Sequence, residues 1–593
     1  MAAISAFMKQ VHDQFEVNCL EPVTYTLLKR LAKQTSDAKK RLAVLGDCAT
    51  QQLAAAISGE SVRRGMPIRV YDADYDQMAA QLYDPNSELF SFQPDYILIF
   101  CCTEKLKQRF YAKMPSCRTE FALQECERMT ELWRAASAGC KAKLLVFDFP
   151  EQQDAVFGSF ALRTPSSFAF QVRKLNLLLG EAAAKDFPNV YPIALSEIAL
   201  TLGTEGYFDP RTWYLAKMAV KTEALPAVAS RVLDTVLSLS GSIKKCVITD
   251  LDNTLWGGVI GDDGMDGIQL GELGDGPAFA ALQRWLLELK RRGILLAVCS
   301  KNNEDTAKEP FEKHPEMVLR LEDIAVFVAN WDNKADNIRS IQRTLNIGMD
   351  SLVFLDDNPF ERNLVREMLP EVTVPELPED PAMVPAYLES LHLFEAVGFS
   401  DEDAARTAQY QAEASRVQAQ ASFTNYEDYL VSLDMHAEIL PFDTFHYPRI
   451  AQLTQRSNQF NLRTVRYSEA EIAAAAQDPD TVTRYMTLSD RFGEHGLISV
   501  VILKKQEDAL FIDTWLMSCR VLRRGVENCL FNAVVNLVKE HGCRYLIGEY
   551  LPTAKNSMVK DFYPSFGMEK IGDGLYRLDC ENYCALPHHI QVD

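Results

Sequence analysis

An apolar run that ends in two closely spaced carboxylates is the feature that most constrains this chain. Residues 247–249 lead directly into Asp250 and Asp252, which stand two positions apart. A short apolar run of this kind predicts a buried strand, so both carboxylates would lie just beyond its carboxyl end. Two such groups can divide the work, Asp250 as nucleophile or metal ligand and Asp252 as acid and base on the leaving oxygen. For this motif alone, the alternative is a structural turn, in which the Asp and Asn side chains only form hydrogen bonds with nearby backbone groups.

Further polar clusters follow other predicted strands, in the order that phosphoryl chemistry requires. Ser300 comes after the next apolar run and, together with Thr254, offers a hydroxyl group to a phosphate. Lys334 stands at the head of a predicted helix as a compact cation for the charge of the phosphate. Ligands of open α/β sheets bind beyond the carboxyl ends of the strands. The clusters therefore predict one shared crevice.

Carboxylates at two of these strand ends predict a magnesium site. Asp356 and Asp357 follow the apolar run 351–355. Mg²⁺ is a hard ion that takes oxygen ligands, which carboxylates supply. The expected metal ligands are Asp250, Asp252, Asp356 and Asp357.

These segments closely resemble the haloacid dehalogenase superfamily of phosphotransferases, and within it the FkbH-like branch of polyketide pathways. The resemblance rests on residues 252–259, 299–303 and 356–362 and is strongest over residues 245–375. It implies a Rossmann-like catalytic domain that takes 1,3-bisphosphoglycerate and removes its phosphates. It also implies that the glyceryl group passes through an enzyme thioester to the phosphopantetheine arm of an acyl carrier protein.

The spacing of the motifs leaves no room for a cap domain. Between Thr254 and Ser300 there is space for a Gly-rich flap, one helix and one strand, and between Lys334 and Asp356 for one helix and one strand. An open site suits an arm carried by a protein better than a small metabolite that must be sealed from water.

A thiol beside the phosphate site is the expected acyl carrier. Cys299 is favoured because it adjoins Ser300, and because Lys301 and the metal would stabilise its thiolate. The alternative is a buried strand residue, since cysteine is among the most often buried residue types. Cys519 and Cys48 are the rival thiols.

The chain is expected to be an α/β protein of three domains. Its 593 residues are too many for one core. The expected parts are an N-terminal α/β domain over residues 1–240, the catalytic domain over 241–375, a linker and helix over 376–420, and a C-terminal α+β domain over 421–593.

The two flanking domains carry weaker resemblances. The turn at Cys48 partly resembles the Gly-Asp-Ser turn of SGNH hydrolases, although the later Asn block and the Asp-x-x-His motif are missing. Residues 421–590 resemble acetyltransferases of the GNAT type, whose Gly-rich loop grips a pyrophosphate at a helix start. Here Glu527 replaces a glycine of that loop. This replacement suggests a different ligand, the pantetheine arm of a carrier protein.

Charge sets further bounds on the partners. The formal net charge of −21 argues against a nucleic-acid partner, since phosphate binding relies on clustered Lys and Arg. An acidic carrier protein would need a local basic face, for which Arg520, Arg523 and Arg524 are the candidates. The alternative is an ordinary solvated basic loop.

Composition favours a cytoplasmic protein. The 14 cysteines are scattered rather than spaced as a disulfide framework, which favours reduced thiols. Residues 1–17 lack the apolar core of a secretory signal, and no stretch has the length of a membrane span.

The favoured function is a glyceryl transferase that also acts as a phosphatase. The alternative is a plain Mg²⁺-dependent phosphatase acting on a small phosphorylated metabolite, with flanking domains that bind proteins. A non-catalytic assembly factor is the third possibility. A hydrolase of this type needs Asp250 but no cysteine, whereas a transferase needs a thiol.

Overall fold

The computed structural model describes residues 23–34, 38–398, 416, 423, 425–518, 521–553 and 555–592. The chain divides into two compact units, with the boundary between Leu237 and Ser238. The predicted helix over 401–420 lies outside the described residues, except for its position 416, which is helical.

The first unit is built on a five-stranded parallel sheet. Its strands, in the spatial order 2-1-3-4-5, are β1 Lys40–Gly46, β2 Ile68–Asp72, β3 Tyr96–Phe100, β4 Lys143–Phe147 and β5 Val190–Ile193. β3 is buried along its whole length, as is usual for parallel sheets that helices cover on both faces. The α/β layer predicted from the sequence is confirmed.

Ten helices are described in this part of the chain. They are α1 Tyr25–Leu31, α2 Gln51–Arg63, α3 Met78–Tyr83, α4 Glu88–Phe92, α5 Thr103–Ala112, α6 Phe121–Gly139, α7 Phe168–Asp186, α8 Leu195–Tyr207, α9 Pro210–Ala216 and α10 Leu225–Leu239. Ser167 caps α7 by accepting a hydrogen bond from the backbone N–H of Phe170, which satisfies one of the unpaired donors at the helix start.

The second unit begins with a four-stranded parallel sheet in the spatial order 8-7-6-9. Its strands are β6 Cys246–Thr249, β7 Leu295–Ser300, β8 Val326–Ala329 and β9 Leu352–Leu355. Its helices are α11 Ile260–Asp263, α12 Gly276–Arg291, α13 Glu304–Lys313, α14 Lys334–Leu345, α15 Pro359–Met368 and α16 Val384–Ser390. Only α11, α12 and their loops lie between β6 and β7, so no cap domain is inserted there.

The remainder of the second unit forms a mostly antiparallel sheet of eight strands, in the spatial order 15-16-14-13-12-11-10-17. The strands are β10 Met435–Leu440, β11 Thr481–Asp490, β12 Gly493–Gln506, β13 Ala509–Met517, β14 Tyr545–Glu549, β15 Glu569–Lys570, β16 Leu575–Asp579 and β17 Ile590–Val592. Its helices are α17 Tyr426–Ser432, α18 Tyr447–Arg456, α19 Glu469–Gln477, α20 Val526–Glu540 and α21 Phe562–Ser565. The chain is thus a multi-domain α/β protein, as the sequence predicted.

None of the helices in the described part of the chain has the length and apolar character that a membrane crossing requires.

Candidate active site

Four predicted site residues lie at strand ends of the central sheet. Ser300 is the last residue of β7, Asp250 follows β6, and Asp356 follows β9. Lys334 is the first residue of α14, the helix after β8. Since β7, β6 and β9 are adjacent parallel strands, their carboxyl ends share one edge of the sheet. Asp250, Asp356 and Lys334 are in direct contact there.

Lys334 bridges two carboxylates in the interior. Its Nζ donates to Asp250 Oδ2 at 2.7 Å and to Asp356 Oδ2 at 2.5 Å. Burial alone lowers the pKa of Lys334, but the two carboxylates outweigh burial and raise its pKa above the ordinary value. The amino group is therefore protonated, and it offsets part of the negative charge of the strand ends.

Three carboxylates form a group that fits a divalent cation. Asp250, Asp356 and Asp357 each offer an oxygen, and these oxygens lie within 4.8 Å of one another. Oδ1 of Asp250 is buried and accepts no hydrogen bond from the described residues. A buried oxygen without a donor is unfavourable unless something else binds it, and Mg²⁺ prefers oxygen ligands of this kind. The donor set therefore fits magnesium.

The charges in this group perturb one another. Burial, and then the charge of Asp250, raise the pKa of Asp356 to about 7. The same two causes raise the pKa of Asp357. A bound cation would favour the anionic form of both carboxyl groups.

Asp252 stands apart from the metal group. Its Oδ1 accepts hydrogen bonds from Trp256 Nε1 at 2.9 Å and from the backbone N–H of Ile260 at 3.0 Å. Its Oδ2 accepts from Asn302 Nδ2 at 3.0 Å. Burial raises the pKa of Asp252, which suits a group that gives and takes a proton. The metal set expected from the sequence is therefore reduced to three side chains.

The two hydroxyl groups expected at the phosphate are both buried. Thr254 Oγ1 accepts a hydrogen bond from the backbone N–H of Asp357 at 3.2 Å, which ties the first motif to the last. Ser300 ends β7 beside these groups. Phosphate binding by Thr254 and Ser300 stays a prediction.

The sequence reasoning missed the side chains that hold the aspartates. Trp256 and Asn302 orient Asp252, and both lie in segments whose resemblance had been noted without a role for either residue. Arg362 is buried and its Nη1 donates to the carbonyl oxygens of Asp356 and Asp357. Its position in the first turns of α15, directly after the carboxylate pair, was the available signal.

The expected activation of Cys299 is wrong. Cys299 is fully buried and packs in a cluster with residues such as Ile248, Ala335 and Phe354. Burial raises the pKa of its thiol to about 12. Lys301, expected to favour the thiolate, instead pairs with Glu361 at 2.6 Å. The thiol is therefore protonated and enclosed.

Of the two rival thiols, Cys48 is no more accessible than Cys299. Cys48 is fully buried, and its sulfur lies within 4.8 Å of Cys102 Sγ and a carboxylate oxygen of Asp47. A hydrogen bond with Cys102 lowers the pKa of Cys48, but burial and nearby carboxylates outweigh it and the pKa is raised. Cys519 lies outside the described residues.

Of the three arginines expected to dock a carrier, the two that the structure describes do not share an exposed surface. Arg523 is exposed, with a backbone φ of 65°. Arg524 is buried, and its Nη1 lies 3.8 Å from Asp490. The expected docking role of Arg524 is therefore wrong, because its guanidinium is buried and lies beside the carboxylate of Asp490. Arg520 lies outside the described residues.

A carboxylate occupies the helix start that would hold a pyrophosphate. Glu527 lies in the first turn of α20, and its Oε1 accepts the backbone N–H of Arg523 at 2.9 Å. A carboxylate in this position repels an added phosphate. The replacement of a glycine by Glu527 therefore has a direct structural consequence.

Known proteins and families show similarity to parts of this chain. The family model described as FkbH, N-terminal domain, matches residues 41–237. A solved structure of the N-terminal part of the protein BF1531 from Bacteroides fragilis, containing a phosphatase domain complexed with Mg, is 47% identical. That match covers 64% of this chain and 100% of the other, with a TM-score of 0.61.

A second solved structure is the ribosomal-protein-S18-alanine N-acetyltransferase from Escherichia coli. It is 17% identical, and the match covers 25% of this chain and 99% of the other with a TM-score of 0.20. A search of curated proteins gave no match. On the family model and the Bacteroides fragilis structure, the chain belongs to the FkbH-like proteins that carry a phosphatase domain.

Proposed function

We propose that this chain removes phosphate from 1,3-bisphosphoglycerate with Mg²⁺ and transfers the glyceryl group to the pantetheine thiol of an acyl carrier protein. The observation that carries the phosphatase part is the buried Lys334, which holds Asp250 and Asp356 around an unpartnered Asp250 oxygen. The carrier and the glyceryl substrate come from the resemblance of the motif segments.

The phosphoryl step uses the two aspartates of the first motif. A carboxylate oxygen of Asp250 attacks the phosphorus of the phosphate ester, and the bond between phosphorus and the substrate oxygen breaks. Asp252 gives its proton to that oxygen, which leaves as a hydroxyl group. A water molecule then attacks the phosphorus, Asp252 takes back a proton, and inorganic phosphate leaves Asp250.

Magnesium fits the three carboxylates beside this oxygen. Asp250, Asp356 and Asp357 would hold the ion, and the similar Bacteroides fragilis structure is a complex with Mg. The ion supplies positive charge next to the phosphate oxygens. Lys334 adds a fixed charge from the protein side, where it needs no rearrangement during the reaction.

In the acyl step, the thiol of the carrier attacks the acyl phosphate directly, and no enzyme thioester is formed. The thiol of the arm gives up its proton, which the departing phosphate takes up, and its sulfur attacks the acyl carbonyl of the mixed anhydride. A carbon–sulfur bond forms, the bond from the acyl carbon to the phosphate oxygen breaks, and phosphate leaves with the electron pair. We choose this route because Cys299 is buried and its pKa is raised to about 12.

A plain phosphatase is the second candidate, and the burial of Cys299 and Cys48 favours it. In that case the acyl phosphate is hydrolysed and no thioester appears on any protein.

One experiment separates the two candidates. The enzyme is incubated with 1,3-bisphosphoglycerate, Mg²⁺ and a carrier protein that bears its arm, and both proteins are weighed intact. The transferase predicts a carrier heavier by one glyceryl group, together with free phosphate. Phosphate without any change in the carrier's mass would establish the plain phosphatase.

A further inference from the structure

A cavity of about 870 Å³ opens beside the active site. Thr254 and Asp357 line one part of it, so this part adjoins the metal group. The rest of the cavity runs along α12 and the segment that leads to α16. The phosphoryl chemistry uses only the first part.

About half of the cavity wall is apolar. The apolar part includes Ala278, Phe279, Leu282, Leu377, Pro378 and Val384. Phe279, Leu282 and Val384 are each buried and belong to the packed core of the domain. A preformed cavity that combines an apolar wall with polar groups can hold a small molecule.

The charged groups of the lining are mostly negative. They are the carboxylates of Asp275, Asp357, Glu376 and Glu379 and the guanidinium of Arg362. That guanidinium is already engaged, because Arg362 donates to the carbonyl oxygens of Asp356 and Asp357 and pairs with Glu376. The cavity therefore presents net negative charge directly beside a site for phosphate.

This charge selects against an anionic occupant. A second phosphate group placed deep in the cavity would face carboxylates without an available cation. A neutral chain with amide groups avoids that repulsion and can bury its methyl and methylene groups on the apolar wall.

We propose that this cavity holds the uncharged pantetheine arm of a carrier protein, with the thiol end at Thr254 and Asp357. This inference rests on the proposed transfer to a carrier. The phosphodiester that joins the arm to the carrier lies outside the mouth, and the second phosphate of the substrate binds outside the cavity.

Binding of pantetheine, a neutral probe without phosphate, tests the inference on the full chain. Ala278→Trp narrows the cavity from α12, and Arg284→Trp is the matched control on an exposed position of the same helix outside the lining. In ligand-observed NMR titrations, wild type and Arg284→Trp should bind pantetheine equally. Ala278→Trp should weaken binding at least tenfold.

The charge argument has its own test. Phosphopantetheine should bind wild type no more tightly than pantetheine does, and Glu379→Arg should raise the affinity ratio in favour of phosphopantetheine at least threefold. Glu367→Arg, at an exposed position outside the lining, is the control. A wild type that prefers the phosphorylated arm would overturn the assignment of a neutral occupant.

Phosphate release from acetyl phosphate is measured on the same samples, because it needs the metal group and not the apolar part of the cavity. Release should be equal in wild type and Arg284→Trp, and circular dichroism checks that Ala278→Trp is folded. Absence of pantetheine binding to wild type, or equal binding to Ala278→Trp, overturns the inference whether or not phosphate is released. An inactive wild type that still binds pantetheine in this way contradicts the proposed function and leaves the cavity assignment supported.

Discussion

The amino group of Lys334 lies 2.5 Å from the carboxylate of Asp356, and both side chains are buried. Removing one partner of such a pair leaves the other as an uncompensated buried charge, which costs far more than the pair contributes. The same amino group also holds Asp250. Lys334 thus links the stability of the domain to the geometry of its reactive carboxylates.

Lys334→Met should therefore lower both stability and activity. Breaking a buried ion pair typically costs about 3–5 kcal/mol, and the reactive Asp250 loses its orienting donor. In thermal unfolding, Mg²⁺ should raise the melting temperature of this variant more than that of wild type, because the ion replaces part of the missing charge. An unchanged melting temperature and an unchanged rate of phosphate release would contradict the role given to Lys334.

Cys299→Ala should transfer the glyceryl group at close to the wild-type rate. The thiol is enclosed and its pKa is about 12, so it does not take part in the direct route. Cys246→Ala, which removes another buried thiol from the same cluster, controls for lost packing. If Cys299→Ala alone loses transfer and the wild-type enzyme carries a glyceryl adduct, the route through an enzyme thioester is correct and the direct route is wrong.

Reversing the charge of Arg523 or of Arg524 should affect the stability of the protein differently. Arg524→Glu places a second carboxylate near the buried Asp490, so its melting temperature should fall. Arg523→Glu changes an exposed charge and should leave stability unchanged. If the carrier docks on this loop, Arg523→Glu slows transfer and weakens its salt dependence. Unchanged transfer would mean that the carrier docks elsewhere.

Glu104→Gln should stabilise the first unit at high pH. Burial raises the pKa of Glu104 from an ordinary value of 4.5 to about 7. Between these values the folded state keeps a proton that the unfolded chain has released, so the free energy of unfolding falls as the pH rises. The loss is complete above pH 7 and amounts to about 3 kcal/mol.

Thermal unfolding at two pH values checks this prediction. At pH 8 Glu104→Gln should melt at a higher temperature than wild type, and near pH 4 the two should melt together. Glu131→Gln, an exposed carboxylate of the same unit, is the control and should behave as wild type at both pH values. An equal gain at pH 4 and pH 8 would show that ionisation of Glu104 is not the cause.

The meeting of Asp250, Asp356 and Lys334 could be predicted from the sequence, because a parallel sheet places the carboxyl ends of its strands at one edge. The burial of single side chains could not. Cys299 and Ser300 are neighbours on one strand, and successive side chains of a strand point to opposite faces. Both faces of β7 are buried, and no local pattern shows which of the two side chains packs among apolar residues, so the sequence could not place the thiol in the core.

The predicted docking surface of Arg523 and Arg524 was wrong for a related reason. Arg523 and Arg524 are equally basic in the sequence, but the left-handed backbone at Arg523 turns the chain between them. Arg524 then meets Asp490, which is 34 positions earlier and could not be assigned to it from the sequence. Long-range ion pairs of this kind depend on the tertiary packing alone.

Phosphate release by Asp250→Asn tests the central claim most directly. The substitution is nearly isosteric, so the fold should survive, and circular dichroism checks this. With 1,3-bisphosphoglycerate, wild type should release phosphate only when Mg²⁺ is present, and Asp250→Asn should release essentially none with or without the ion. Release by the variant at the wild-type rate, or undiminished release by wild type in excess chelator, would contradict the account.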